Sequence, residues 1–387
     1  MSTVLTLEPQ EWERFSVPHA LRLVGEEQHL IGAGSISVAT NLRLQATVEE
    51  IPGEFSLRLG GGERDADGRW QDAEALLSDL AARSRQALEE VVAPEPSALE
   101  GLDVEVDFGR LWEVCPPQAL GSSPALAVAL AVAILAHRGQ ASEVGELQLA
   151  ETACRLCDRL AGEAGGSAGR FYSDALLSVV GGAGYVEPGR ERLNVQQLLP
   201  PESLLLVMVP GLEGAGRPHS FDAVVRGAAE KARSSGGLGQ PGDAAFGALF
   251  ELAGSVLNDE EVTKLYGLMR VRQMTEAFLE YLTEPLVDND RLAEICDEES
   301  AILGDYFGFP AARYERIRAA ASTKGALGSK LTWAFGGYPA AIVVAPGRRQ
   351  EVGEALAREF PGLYCILTDM DLDGLVAGEH PAFESAP

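Results

Sequence analysis

The sequence predicts a two-domain α+β protein. Three features carry that prediction: the chain length, an opening that alternates apolar and polar residues, and the helical and strand periods that interleave after it. At 387 residues the chain exceeds the usual size of one core, which places a first domain over residues 1–200 and a second over 201–387. With 46% hydrophobic and 23% charged residues it reads as an ordinary globular chain. The 31 Lys plus Arg against 58 Asp plus Glu give a formal charge of -27, which repels nucleic acid and anionic membranes. Any phosphate site must therefore rest on local donors and a metal ion. The longest apolar run, 125–136, is too short to span a bilayer, and residues 1–30 lack the basic start and apolar centre of a signal peptide. The expectation is a cytoplasmic monomer or homodimer with no nucleic-acid and no membrane partner. Five cysteines argue against a disulfide framework, and Cys154-Arg-Leu-Cys157 reads as a core pair one helical turn apart.

Each element follows from its pattern. Residues 20–60 alternate apolar and polar positions (Leu21, Leu23; Val38, Leu42, Leu44, Ala46, Val48; Leu57, Leu59), predicting antiparallel strands broken by Gly32-Ala-Gly34 and Pro52-Gly53. Residues 71–92 carry Ala and Leu at helical spacing, and Val104 to Phe108 alternates as a strand. A helix follows from Pro124, and another runs from about Glu146 to Ala161. Residues 162–169 read as a Gly-rich loop, and Leu176 to Val186 as a strand-like apolar stretch around Gly181-Gly182. Leu204 to Val209 is an unbroken apolar run, the mark of a buried strand. Three helical stretches cover roughly 244–321. A strand at Ala340 to Val344, a helix from about Gln350 and a strand at Leu363 to Leu367 complete the second domain, giving a mixed β-layer with helices followed by an α/β domain.

The most informative segment runs from Cys115 to Pro124, where a Pro-Gly-Ser loop opens directly into an Ala-rich helix. Unpaired backbone N–H groups, the hydroxyls of Ser122 and Ser123 and the positive end of a helix dipole converge there, which is the chemistry of an anion site. The same serines also suit an ordinary N-cap. The tail Asp369-Met-Asp371-Leu-Asp373-Gly374 alternates acids but lacks the further ligand of a calcium loop, so it reads as a solvated turn.

Taken in order, these segments resemble the GHMP family of small-molecule kinases, within its galactokinase, fucokinase and heptose kinase branch. Pro18 to His29 is similar to the family's first motif, Pro116 to Leu126 to its phosphate loop, and Gly165-Gly166, Asp174 and Gly181-Gly182 to its catalytic-aspartate segment. Gly328-Ser-Lys-Leu-Thr332 through Gly336-Gly337 is similar to its third motif, and Leu292 to Ala321 to the helices before it. The resemblance implies a GHMP kinase-like fold with a ferredoxin-like C-terminal domain, ATP and Mg2+ as cofactors, and phosphoryl transfer to a sugar, at its anomeric hydroxyl. It implies Asp174 as base, Leu120, Gly121, Ser122, Ser123, Gly336 and Gly337 around the nucleotide, Glu26, His29 and Asp174 on the sugar, and Ser123 and Asp158 on the metal. Where the family's first motif has arginine, this chain has Ala20. Arg22, two residues on and on the same strand face, is the candidate replacement, with an ordinary solvated strand residue as the other reading. Trp333 and Phe335 stand where the family has glycines, so a catalytically inactive protein that binds a sugar or nucleotide is the second reading.

Overall fold

The computed structural model describes residues 13–60, 73–92, 99–109, 123–140, 144–160, 171–187, 203–208, 221–235, 252–282, 288–308, 312–334 and 338–378. The first layer opens on β1 (Arg14–Val24) and β2 (Ser35–Glu50), which pair antiparallel. Next come β3 (Ser56–Gly60), the helix α1 (Ala73–Val91) and β4 (Leu102–Asp107). Because α1 crosses between them, β3 and β4 pair in parallel, where the alternation alone suggested an antiparallel run. Three helices follow: α2 (Pro124–His137), α3 (Glu146–Leu160) and α4 (Tyr172–Val180). The strand β5 (Ala183–Val186) then returns to pair with the start of β2.

The expectation of a strand-like stretch over Leu176 to Val186 is corrected. Its first half is helix, and only the residues after Gly181-Gly182 are strand. Tyr172 to Val179 are all buried, and the stretch from Leu176 to Val180 holds only Ser178 as a polar residue, too little to betray a helical period. The same holds for α2, buried from Pro124 to Ile134, which lies between the sheet and the helices α3 and α4.

The second layer holds β6 (Leu204–Met208), the helices α5 (Phe221–Ser234), α6 (Asp259–Leu282), α7 (Asn289–Ile302) and α8 (Ala312–Thr323), then β7 (Gly328–Ala334), β8 (Tyr338–Val344), α9 (Arg349–Glu359) and β9 (Tyr364–Thr368). Its strands run in the order β7-β8-β6-β9, all antiparallel, the ferredoxin-like order with α5 to α8 in the first crossover.

The chain finally crosses back to the first sheet. Strand β10 (Val376–Ala377) pairs with Phe15 and Ser16 of β1, so that sheet reads β10-β1-β2-β4-β3 with β5 beside β2. The acidic tail is not a solvated turn. Asp371 is buried against the wholly buried Arg43, whose guanidinium also reaches the carbonyls of Ser16 and Gly374. Gly374 in turn packs on Gly181. A Cβ on either glycine would fall within 2.6 Å of the other's backbone, and both have positive φ, 64° and 75°. Cys154 and Cys157 are both buried on α3, as the one-turn spacing suggests. Among the described residues no helix is long and apolar enough to cross a membrane.

Candidate active site

Strand pairing brings the first two site residues together. Arg22 on β1 lies opposite Ser37 on β2, so their side chains share the face on which α4 packs. The first turn of α4 carries Ser173 and Asp174 into that face. Asp174 Oδ2 accepts from Arg22 Nη2 at 3.1 Å, and Oδ1 accepts from Ser37 Oγ at 2.6 Å. Ser173 Oγ stands 3.0 Å from Ser35 Oγ and 3.1 Å from Ser37 Oγ, and accepts from Arg22 Nη2 at 3.3 Å. Arg22 is only 6% exposed and Asp174 5%, so Arg22 is no solvated strand residue. Burial pushes the Asp174 carboxyl above its ordinary value, and Arg22 and Ser37 only partly offset it. Burial works against the Arg22 charge too, but Asp174, Glu26, Glu27 and Glu299 together hold its pKa above normal. The result is a carboxylate more basic than one in water, aligned by a permanent cation.

The turn after β1 is held from the second layer. Gly25 has a φ of +96°, and a Cβ there would meet Ser35 Cα at 2.8 Å, so only glycine fits without strain. Glu299, on α7, accepts the Gly25 and Glu26 N–H groups on one carboxylate oxygen, at 2.9 and 2.8 Å. Its other oxygen accepts from Lys330 Nζ on β7 at 2.7 Å, and Lys330 also donates to Leu23 O at 3.0 Å. Glu26 Oε1 lies 2.7 Å from Thr332 Oγ1 and 3.5 Å from Lys330 Nζ, and its other oxygen 3.8 Å from Arg22. Glu26, expected on a sugar hydroxyl, is fully buried, with Oε1 engaged by Thr332 and Lys330 and no hydrogen bond to Oε2 among the described residues. His29 sits half-buried in the short 3-10 turn Gln28–Ile31, which Gln28 ties to Leu268 O of α6 at 3.0 Å.

At the start of α2, Ser123 occupies the N-cap position ahead of Pro124, yet its hydroxyl makes no capping bond. It lies instead 2.7 Å from Nδ1 of His19, both residues being buried. Burial lowers the His19 pKa from its ordinary 6.5 to about 3, so the imidazole is neutral in the folded protein. The unfolded chain takes up that proton first. The contribution of His19 to stability is thus complete above pH 6.5 and is lost as pH falls towards 3. Urea unfolding followed from pH 7 to pH 4 is expected to show His19→Gln losing about 3 kcal/mol less stability than the parent over that range. Equal losses in the two proteins would exclude this role.

Leu120, Gly121, Ser122, Gly336 and Gly337 lie outside the described residues, as does Phe335. The third motif is not a loop over its described part: Gly328–Ala334 forms β7, paired along its length with β8. Asp158 is half-buried on α3, and among the described residues no cluster of three or more His, Cys, Asp or Glu is disposed to hold a metal ion. Ser123 and Asp158 do offer oxygen, the donor Mg2+ takes, with nucleotide phosphates and water usually completing its shell. Sequence reasoning missed Ser35, Ser37, Ser173, His19, Glu299 and Lys330. The sole trace of the serines was small polar residues set between the apolar positions of β2 and ahead of Asp174.

The sequence matches no protein-family model and no curated protein, but its fold has well-matched solved counterparts. Galactokinase from Lactococcus lactis, solved with galactose, superposes with a TM-score of 0.69 at 15% identity over 95% of each chain. Mevalonate kinase from Methanococcus jannaschii gives 0.54 at 14% identity, over 92% of this chain and 98% of its own. A D-glycero-D-manno-heptose 1-phosphate kinase from Bacteroides thetaiotaomicron gives 0.52 at 14% identity, over 95% and 99%. At these identities the likeness is one of architecture, and the architecture of this chain is that of the GHMP small-molecule kinases.

Proposed function

We propose that this chain is an ATP-dependent kinase that phosphorylates a hydroxyl of a sugar, at the anomeric carbon. The observation that carries the reading is the buried Asp174, made more basic by its surroundings and aligned by Arg22 and Ser37 at the start of α4. Phosphoryl transfer asks little else of a protein than placement, charge stabilisation and a carboxylate for the acceptor proton. The acceptor oxygen attacks the γ-phosphorus, the bond to the β-phosphate oxygen breaks, and the hydroxyl proton passes to Asp174. Bound ATP and Mg2+ supply the transferable group and the positive charge that the acidic chain lacks. The dipole at the start of α2 would meet the phosphates, and Ser123 and Asp158 would be the oxygens on hand for the metal, Ser123 by turning its hydroxyl from His19. The galactose-bound neighbour supports a sugar as acceptor. The inactive reading rested on Ala20, Trp333 and Phe335, and the first of these grounds weakens because Arg22 meets Asp174 from the same strand.

The test is an ADP-release screen with Mg2+, ATP and a panel of free sugars (galactose, fucose, heptoses and uronic acids), run beside thermal shift with Mg-ATP. Release with at least one sugar is expected, together with stabilisation that Gly121→Val plus Ser123→Asp abolishes. Stabilisation that survives this double change would move the nucleotide elsewhere. Binding without ADP release on any sugar would favour the inactive reading.

A further inference from the structure

On the kinase reading, we propose that Lys330 and Glu299 are positioning residues for the Arg22–Asp174 pair, acting across the two layers through Glu26 and the backbone of residues 22–26. The charges alternate along one buried chain: Asp174, Arg22, Glu26, Lys330, Glu299. Asp174 and Arg22 come from the first layer, whereas Lys330 and Glu299 come from β7 and α7 of the second. Their grip falls on consecutive peptide groups at the end of β1. Thr332 Oγ1 lies 3.2 Å from Arg22 O, Lys330 donates to Leu23 O, and Glu299 accepts from the amides of Gly25 and Glu26. The Arg22 backbone is thereby fixed from the second layer, and its guanidinium is held between Asp174 and a Glu26 carboxylate that Lys330 partly neutralises.

An isolated buried ion pair stabilises little against an apolar substitute and is weak evidence of any role. The Lys330–Glu299 pair differs because its loss is transmitted. Without the Lys330 charge, Glu26 has Arg22 as its nearest cation among the described residues, and it draws the guanidinium off Asp174 towards itself. Asp174 then loses the partner that aligns it and faces an additional uncompensated carboxylate, so its pKa moves further up. Nucleotide binding, which the proposed function assigns to the start of α2, is not part of this chain of contacts.

The test compares Lys330→Met, Lys330→Arg and the double variant Lys330→Met/Glu299→Gln. The double variant removes both charges and keeps the experiment interpretable if the single change prevents folding. In folded protein, kcat is expected to fall by about 10²-fold with KM for ATP nearly unchanged. The acidic limb of the kcat–pH profile is expected to shift to higher pH, with Lys330→Arg recovering most of the loss. A purely stabilising pair would lower the melting temperature but leave the pH profile in place, and that result overturns the proposal.

A second readout does not depend on turnover. The carboxyl 13C signal of Asp174, assigned by its absence in Asp174→Asn, is expected to titrate about 1 pH unit higher in Lys330→Met or in the double variant. If the wild type phosphorylates nothing, the kinase reading fails while this titration still decides the positioning role, and an unmoved titration rejects it.

Discussion

Asp174→Asn is expected to fold, to bind Mg-ATP as the parent does, and to turn over about 10²-fold more slowly or worse, the scale of a positioned acid–base group. Asn still accepts the Ser37 hydrogen bond, so the packing around α4 is kept, but its amide meets Arg22 donor to donor and it takes no proton. The pH dependence gives a second check. Asp174 must be ionised to accept the acceptor's proton, and its pKa lies above that of a free carboxyl. The parent's kcat should therefore fall with decreasing pH earlier than an ordinary carboxylate would dictate, and the residual rate of Asp174→Asn should lack that limb. Steady-state kinetics from pH 4 to pH 8 reads both effects. Unchanged turnover would remove Asp174 from the mechanism even within a kinase.

Arg22→Met is expected to have the largest effect on stability. It leaves Asp174 and Glu26 buried without the cation between them, a loss of about 3–5 kcal/mol by the usual cost of breaking a buried pair. Arg22→Lys should recover only part of it. A single ammonium cannot meet Asp174, Ser173 and Glu26 together as the planar guanidinium does. In the fraction that folds, turnover should drop and the acidic limb should move to higher pH, because the group that opposes the raised Asp174 pKa has gone. Urea denaturation and pH–rate profiles measure the two consequences separately. A change in stability below about 0.5 kcal/mol, the range of an ordinary surface substitution, would contradict the buried network.

Much of the architecture was legible because burial leaves periods in the sequence. The alternation of residues 36–48 became β2, the Ala and Leu spacing of 71–92 became α1, and the unbroken run from Leu204 became β6. The signal failed where an element is buried on every side. Residues 176–180 are four apolar residues around a single Ser178, too few to show a helical period, so the end of their helix looked like strand. At the site, Asp174 and Arg22 could be paired from their places in two motifs, but the groups that hold them could not. Ser37 is 137 residues from Asp174, Lys330 is 307 from Leu23 and Glu299 is 274 from Gly25. Contacts at such separations leave no local pattern. The surroundings of Glu26 were hidden for the same reason: its contacts with Thr332 and Lys330 come from β7, more than 300 residues on.

The return of the chain to β1 bears on how the protein is made. Arg43 emerges from the ribosome early, but Asp371 and Gly374, which its guanidinium holds, lie 328 and 331 residues later. Until then β1 is an open edge and the end of α4 lacks the glycine contact that seats it, although both β1 and α4 carry the candidate catalytic pair. A nascent chain cannot finish its first domain and then begin its second. It must keep one edge of β1 open through the synthesis of the whole second sheet, exposed to chaperones and to the edges of other chains. The candidate catalytic pair thus lies on two elements that gain their last contacts at the end of synthesis, and a ribosome stalled before residue 371 leaves β1 without β10 and the end of α4 without Gly374.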